Sequence, residues 1–182
     1  MEILEWVNRI VTILFFLTAA AVAGIYGIVA VSLRREAPYV PSPKKVAEAM
    51  MELADVKPGE TVIDLGSGDG TILLAAAKRG AHAIGYEMSY PLVWWTRVRA
   101  WMTGHGKHIT VYRKDLFLAD IRSANVVSCY LMPVMLTRLR DIFQTQLASG
   151  SRVVVSRFII EDWAPVKQEQ VEKKIISLYR MS

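Results

Sequence analysis

Three carboxylate residues surround a glycine-rich segment in the middle of the chain. Asp64 lies in an apolar run, and the segment Gly66, Ser67, Gly68, Asp69 and Gly70 follows it. Glu87 ends the next apolar run, 21 residues after Gly66. Glycine lets backbone N–H groups approach a ligand closely, and a strand, a glycine loop and a helix in this order form a nucleotide site. The pattern therefore predicts a nucleotide held between a backbone loop and carboxylates.

The acids indicate which nucleotide this loop accepts. A dinucleotide brings a pyrophosphate, which Asp64 and Asp69 would repel. S-adenosylmethionine brings a sulfonium and an ammonium group, and carboxylates favour both. Glu87 lies at the distance along the sequence from the glycine loop at which such folds place a carboxylate that binds the two ribose hydroxyls. The alternative is a structural glycine turn with incidental acids. The three acids together favour S-adenosylmethionine and the pattern of a class I methyltransferase.

Further candidates follow the third and fourth apolar runs. Asp115 would accept the adenine amino group, with Leu116 or Phe117 on the ring, or it would cap a turn. Tyr130 would line an acceptor channel or pack in the core. Enzymes that methylate nucleobase amino groups often carry Asp or Asn, two prolines and an aromatic here. The segment from Tyr130 to Pro133 has no acid or amide, so we expect no nucleic-acid substrate.

Strands and helices alternate around these residues. This order predicts a Rossmann-like α/β fold, with a mostly parallel sheet and helices on both faces. Its ligands would lie at the carboxyl edge of the strands. After Phe158 we expect one strand rather than two, a trimmed C-terminus. The predicted strands are 61–65, 82–87, 108–113, 125–131, 151–158 and 174–179, and the predicted helices after the loop are 70–79, 90–103 and 134–148.

A different segment precedes this domain. Residues 1–9 form a short tail, and residues 10–33 contain 24 residues without a charge. Roughly 20 apolar residues span a bilayer as a helix, so we expect a transmembrane helix that contacts lipid. A cleaved signal peptide and a buried core helix are the alternatives. Residues 34–43 form a Pro-rich linker in which Ser42 would cap the next helix, and residues 44–182 form the methyltransferase domain.

The charges beside the apolar segment predict its orientation. Arg34 and Arg35 follow it, whereas Arg9 precedes it together with Glu2 and Glu5. The positive-inside bias then places the C-terminal side in the cytoplasm, where S-adenosylmethionine is found. The single cysteine excludes an intrachain disulfide, and the three histidines show no metal-ligand spacing. The net charge of +5 suits anionic lipid or nucleic acid.

Two aromatic segments have open interpretations. Trp94, Val98 and Trp101 share one face of a predicted helix, which would pack on the sheet or form a bilayer-interface belt. The stiff segment from Pro38 to Pro41 would fold over the cofactor and place Tyr39 near the methyl group, or it would act as a spacer.

Several motifs occur together in a known order. They are Pro38-Tyr-Val-Pro41, Asp64 to Gly70, Gly85-Tyr-Glu87, Asp115-Leu116, the proline after strand four, and Arg157-Phe158 followed by Trp163 and Pro165. This pattern resembles the small membrane-associated protein-lysine methyltransferases that modify the adenine nucleotide translocase and the ATP synthase c subunit. It covers about residues 37–165. The continuation after Glu87 and the two isoleucines after Phe158 depart from the pattern.

The resemblance implies methyl transfer from S-adenosylmethionine to a lysine of a membrane protein. Tyr39, Tyr130 and Trp163 would then line the substrate channel, and no general base is evident. The absence of a targeting presequence favours the plasma membrane of a prokaryote, with the domain in the cytoplasm. A methyltransferase for a membrane-bound quinone or lipid and a non-catalytic, membrane-tethered S-adenosylmethionine-binding protein are the rival interpretations.

Overall fold

The structure, a computed structural model, describes residues 2–33 and 40–182, and side chains within 5–24 and 40–182. The chain divides into two compact units, Met1–Tyr39 and Val40–Ser182. The predictions that concern Arg34, Arg35 and Tyr39 lie outside the described residues.

The first unit contains one long helix, α1 (Glu2–Leu33). The helix begins at Glu2, so residues 2–9 continue it and do not form a separate tail. Every described side chain from Glu5 to Gly24 is exposed, and this stretch has the length and composition of a membrane span. The hydroxyls of Thr12 and Thr18 donate to backbone oxygens one turn earlier, so these polar groups are satisfied within the helix.

The second unit is a seven-stranded sheet with the order β3-β2-β1-β4-β5-β7-β6. The first five strands are parallel, and β7 runs antiparallel to both β5 and β6. This topology confirms the predicted Rossmann-like class. The strands are β1 (Thr61–Leu65), β2 (His82–Tyr86), β3 (Ile109–Tyr112), β4 (Val126–Cys129), β5 (Arg152–Ser156), β6 (Lys167–Val171) and β7 (Lys174–Arg180).

Helices cover both faces of this sheet. On one face, Val62, Val126 and Val154 share a core with α2 and α3. Because strand side chains alternate, Tyr179 faces the opposite way from Leu178 of that core, towards Phe143 of α5. The helices are α2 (Lys44–Leu53), α3 (Thr71–Lys78), α4 (Tyr90–Met102) and α5 (Pro133–Gln146), and a 3₁₀ turn spans Leu116–Leu118.

The end of the chain corrects one prediction. Two strands follow Phe158, because Lys167–Val171 forms β6. This strand lies at the edge of the sheet and is almost wholly exposed, so it has no apolar alternation to reveal it in the sequence. The C-terminal part is shortened elsewhere: residues 157–166, between β5 and β6, contain no helix.

Two local predictions also change. Pro43, not Ser42, is the N-cap of α2, and no side chain caps this helix. On α4, core packing of the tryptophans is wrong: Trp94 is 58% exposed and Trp101 is 79% exposed. The buried residues of α4 are the smaller Val93, Thr96 and Ala100, and small side chains let the helix lie close to the glycine loop.

The carboxyl ends of β1 and β4 meet where the strand order reverses. From β1 the chain continues outward through β2 and β3, and from β4 it continues outward on the other side. Ligands of open α/β sheets bind at such a switch point. The Asp64 loop follows β1 and Tyr130 follows β4, so both lie at this edge.

Candidate functional site

The glycine loop after β1 is held by β2 and α4. The N–H groups of Gly66 and Ser67 donate to the carbonyl oxygen of Tyr86, at 2.9 and 3.1 Å. Gly70 has a φ of +76°, and a Cβ built there would lie 2.3 Å from Cγ2 of Thr96. The hydroxyl of Thr96 donates to the carbonyl oxygen of Gly68. Glycine at position 70 is therefore required both by its backbone conformation and by the packing of α4.

Asp69 ties this loop to two helices. Its carboxylate accepts hydrogen bonds from the backbone N–H and the hydroxyl of Thr71, and Oδ2 lies 2.7 Å from Nη1 of Arg99. Arg99 also donates to the carbonyl oxygen of Asp69. Thr96 and Arg99 were missed in the sequence, where the only signal is that polar residues interrupt the inner face of α4.

Asp64 is a buried carboxyl group with one free oxygen. Oδ1 accepts a hydrogen bond of 2.7 Å from the hydroxyl of Ser128, and Oδ2 has no partner among the described residues. Burial raises the pKa of Asp64 to about 7, and the negative charges of Glu87 and Asp69 add to this, while the Ser128 hydrogen bond opposes it. A cation beside Oδ2 would offset the cost of ionisation, so the group fits a cationic ligand.

Glu87 lies against the loop on the other side. Its Oε2 accepts from the N–H of Gly68 at 3.1 Å, and its Oε1 accepts from the N–H of Ser89 at 2.6 Å. A carboxylate has about four acceptor positions, so each oxygen keeps one. Glu87 is half-buried and is oriented by backbone groups, which leaves it able to accept from two neighbouring hydroxyls.

Apolar side chains line the loop near Gly66. A Cβ built on Gly66 would lie 3.0 Å from Cδ2 of Leu131 and 3.7 Å from Cδ2 of Leu116. Asp115 begins the 3₁₀ turn, where Oδ1 accepts from the N–H of Phe117 at 3.0 Å. The cap interpretation of Asp115 is thus confirmed, and its contact with adenine stays a prediction.

Ser67 faces β2 rather than open space. Its side chain is buried, and a Cβ built on Gly85 would lie 2.6 Å from its Oγ. This Oγ has no hydrogen-bond partner. A contact between Ser67 and a cofactor would therefore come from the backbone of the loop.

A second polar region lies at the ends of β4 and β5. The hydroxyl oxygens of Tyr130 and Ser156 are both buried, and neither has a hydrogen-bond partner in the part of the chain that the structure describes. Tyr130 packs against the core shared with α2 and α3. Nζ of Lys174 lies 5.0 Å from the centre of the Tyr130 ring. The ring thus already accommodates an alkylammonium group, an attraction that aromatic faces provide.

The ring of Trp163 packs beside two other aromatic residues. Its ring lies 6.3 Å from that of Phe143 and 6.0 Å from that of Tyr179. Tyr179 faces the α5 side of the sheet, whereas Tyr130 packs on the α2 side. Among the residues that the structure describes, no group of three His, Cys, Asp or Glu could hold a metal ion.

Comparison with known proteins gives a family. The model of the ANTKMT methyltransferase domain matches residues 64–167, which include Asp64, Glu87 and Tyr130. The mouse adenine nucleotide translocase lysine N-methyltransferase is 40% identical over 137 residues, which is 75% of this chain and 59% of the relative. The chain thus spans less than two thirds of that relative's length. These matches confirm the resemblance inferred from the motifs.

Two further matches cover most of the other protein. A protein-lysine N-methyltransferase of Saccharolobus islandicus is 33% identical, over 74% of this chain and 85% of the relative. The second match is the crystal structure of an RNA methyltransferase from Salinibacter ruber in complex with S-adenosyl-L-homocysteine. Its sequence is 38% identical and its TM-score is 0.76, over 78% of this chain and 94% of that chain. By sequence, the chain belongs to the ANTKMT methyltransferase domain family.

Proposed function

We propose that this protein transfers a methyl group from S-adenosylmethionine to a lysine side chain of a membrane protein. The observation that carries the proposal is the buried Asp64, whose Oδ2 has no partner, beside a Glu87 that the loop backbone orients. This arrangement suits a ligand with a positive charge and a ribose. The protein-lysine methyltransferase of Saccharolobus islandicus supports lysine as the acceptor, because this chain covers 85% of it.

The residues present fit S-adenosylmethionine. Asp64 Oδ2 would accept from its ammonium group, and Glu87 from its ribose hydroxyls. Leu116 and Leu131 would pack beside it, and Asp115 would bind the adenine amino group. Asp69 acts through the shape of the loop, because Arg99 and Thr71 already occupy its carboxylate. When bound, S-adenosylmethionine supplies a methyl group on a sulfonium, which is a good leaving group.

Tyr130 is the residue we assign to the acceptor. A lysine ammonium has a reference pKa of roughly 10.4 and must lose its proton before it can act as a nucleophile. Desolvation in an apolar channel disfavours the charged form and lowers that pKa. The unpartnered Tyr130 hydroxyl would accept a hydrogen bond from the lysine nitrogen and so orient it. Orientation of this kind supplies much of the acceleration in group transfer.

The helix α1 supports a membrane-bound substrate. We assign it as a single span through residues 10–33, with residues 40–182 on the cytoplasmic side of a prokaryotic plasma membrane. Arg34 and Arg35 support this orientation through the positive-inside bias. A reporter fused after Ser182 should then show a cytoplasmic environment, and protease added outside intact cells should leave the domain uncut. External cleavage of the domain would overturn this orientation.

The Salinibacter ruber structure raises a second candidate function. That chain is called an RNA methyltransferase and is 38% identical to this one. Against RNA stands the segment from Tyr130 to Pro133, which has no Asp or Asn to accept from a nucleobase amino group. Methylation of a membrane quinone or lipid, and cofactor binding without catalysis, are the other rivals.

One experiment separates these functions. The full-length protein is incubated with radiolabelled S-adenosylmethionine and membranes and RNA from the same cells, and protein, lipid and RNA are then separated. We expect label in one or a few membrane-protein bands, and methyl-lysine after acid hydrolysis of those bands. Label in RNA or lipid would replace the proposal with the corresponding rival. Bound cofactor without any label would favour a binding protein.

The role of α1 has its own test. The protein cut before Glu36 should bind S-adenosylmethionine as the full chain does, because it keeps Tyr39 and the described core lies entirely within residues 46–179. It should methylate native membranes slowly, since tethering raises the effective concentration of membrane targets. On detergent-solubilised target at high concentration the two forms should be alike. Equal rates on native membranes would remove the reason to assign α1 to substrate access.

A further inference from the structure

The outer face of α4 is an exposed aromatic surface that the proposed function does not use. Trp94 is 58% exposed, Trp95 46% and Trp101 79%. Large exposed apolar patches mark interaction sites in soluble proteins. These rings lie on one side of the helix, opposite the buried Val93 and Ala100. We call this surface the tryptophan face, and its members are Tyr90, Trp94, Trp95, Val98, Trp101 and Met102.

The tryptophan face lies in a strongly basic part of the chain. The 27 residues from Met88 to Lys114 contain five Arg or Lys and no Asp or Glu. The rest of the chain has 17 basic residues (Arg or Lys) and 17 acidic residues (Asp or Glu). The segment from Met88 to Lys114 therefore carries the whole excess of positive charge. Four of its cations are exposed and form no ion pair with a described residue: Arg97, Lys107, Arg113 and Lys114.

The cations lie at the border of the aromatic rings, an arrangement that suits a partner with a flat and negatively charged surface. Arg113 lies 5.9 Å from the ring of Tyr90, and its Nε donates to the carbonyl oxygen of Met88. Arg97 donates to the carbonyl oxygen of Val111 at 2.7 Å. Backbone carbonyls therefore hold both guanidinium groups at the margin of the tryptophan face, and no carboxylate of a described residue forms an ion pair with them.

We propose that the tryptophan face docks on the headgroup layer of a bilayer that contains anionic lipid. Tryptophan rings favour the headgroup depth of a membrane, and Lys and Arg near the surface are attracted to anionic headgroups. A continuous apolar face with its cations at the border fits a lipid surface. A nucleic acid would favour cations interleaved with the rings, along the path of the backbone.

Docking would place the candidate site at the membrane. The helix α4 begins three residues after Glu87, so one end of the tryptophan face lies at the sheet edge that carries the loop. The inference does not depend on the proposed function, because vesicle binding needs neither cofactor nor catalysis.

Vesicle binding by the protein cut before Val40 tests the inference without α1. Sedimentation with vesicles of phosphatidylcholine alone is compared with vesicles that also contain phosphatidylglycerol. We expect binding to the mixed vesicles, with tryptophan fluorescence shifted to the blue and quenched by brominated lipid. The double variant Trp94→Ser/Trp101→Ser should weaken binding at least about tenfold. The matched control Val166→Ser/Ile175→Ser, which removes exposed apolar side chains at the opposite end of the sheet, should bind like the parent.

A charge pair completes the design. Lys107→Glu/Lys114→Glu should weaken binding to mixed vesicles about tenfold or more, whereas Lys167→Glu/Lys173→Glu, on the exposed β6–β7 hairpin, should change it little. Circular dichroism checks folding, and Trp101→Ser alone serves if the double variant unfolds. No binding to mixed vesicles, or equal losses in test and control variants, overturns the proposal. Binding of single-stranded RNA but not of vesicles, lost on tryptophan replacement, would assign the face to nucleic acid instead.

Discussion

Beside β1 and β2, hydrogen bonds hold both Asp69 and Glu87, although Asp64 Oδ2 and Ser67 Oγ have no partner among the described residues. At the ends of β4 and β5, two buried hydroxyls lack any partner of this kind. Asp69 and Glu87 together accept five side-chain or backbone hydrogen bonds from Thr71, Arg99, Gly68 and Ser89. The hydroxyl groups of Tyr130 and Ser156 form no hydrogen bond with a described residue. Burying an unpaired polar group costs free energy, so a ligand that pairs them would be favoured.

The difference indicates two kinds of site. The loop side is held by its own hydrogen bonds, apart from Asp64 Oδ2 and Ser67 Oγ, and should bind cofactor as a preformed surface. On the proposed function, the hydroxyls of the β4–β5 side would gain a hydrogen-bond partner when the acceptor binds. The following predictions would break or sharpen this contrast, beginning with the largest expected effect.

Replacing Gly70 should damage the loop side most. Gly70→Ala places a side chain in the left-handed region and against Thr96, and should lower the free energy of unfolding by about 2–4 kcal/mol. Gly104→Ala is the matched control, because Gly104 also has a φ of +76° but no atom lies within 4 Å of its Cβ position. Urea unfolding measures both. Equal losses in the two variants would show that Thr96 does not require glycine at position 70.

Removal of Glu87 should separate binding from folding. Glu87→Ala deletes charge-assisted hydrogen bonds worth roughly 1.5–3 kcal/mol each, so affinity for S-adenosylmethionine should fall about tenfold or more. Glu161→Ala, at an exposed position, is the control. Calorimetry that finds the same affinity for both variants would exclude Glu87 from the cofactor site.

The pKa of Asp64 makes cofactor binding depend on pH. The free domain holds this pKa at about 7, above the ordinary 3.8, so burial of Asp64 destabilises the fold as pH rises from about 4 through 7. A cationic ligand favours the ionised form, so affinity should rise about tenfold between pH 6 and pH 8. Asp64→Asn should lose this rise. A pH profile shared by both proteins would assign the titration to another group.

Trp163 should give the smallest effect on transfer. Trp163→Phe keeps an aromatic ring beside Phe143 and Tyr179, and should cost about 1 kcal/mol of stability. The KM for the acceptor should stay unchanged, as expected for a residue on the α5 side of the sheet. A clear rise in that KM would restore Trp163 to the channel.

The sequence revealed the loop side well because its signals are local. The loop is built from consecutive elements: the strand from Thr61 to Leu65, the glycines, and the helix after Gly70. The spacing from the loop to Glu87 indicates that a parallel strand lies beside the first one. The sequence does not show which residues hold the loop, because Thr96 and Arg99 contact it from another helix. Pairing of Asp64 with Ser128 likewise joins residues 64 positions apart.

The errors have a common physical cause. Hydrophobicity predicts burial only when packing has room for the side chain, and α4 buries Val93, Thr96 and Ala100 while its tryptophans stay outside. The strand β6 shows the opposite case, a regular element without a hydrophobic pattern, because an exposed edge strand such as Lys167–Val171 needs no apolar residues. The channel role of Trp163 stays a prediction, because it comes from a motif, and a motif carries no information on which face of the sheet a side chain occupies.

The contrast between the two sides is tested most directly by one kinetic comparison of methyl-lysine formation on a solubilised target. Glu87→Ala and Tyr130→Phe are assayed with each substrate varied in turn. We predict that Glu87→Ala raises the KM for S-adenosylmethionine about tenfold and leaves that for the acceptor unchanged. Tyr130→Phe should do the opposite, raising the acceptor KM or lowering kcat several-fold with normal cofactor affinity. If both variants alter the same KM, or Tyr130→Phe weakens cofactor binding alone, the division into a cofactor side and an acceptor side is wrong.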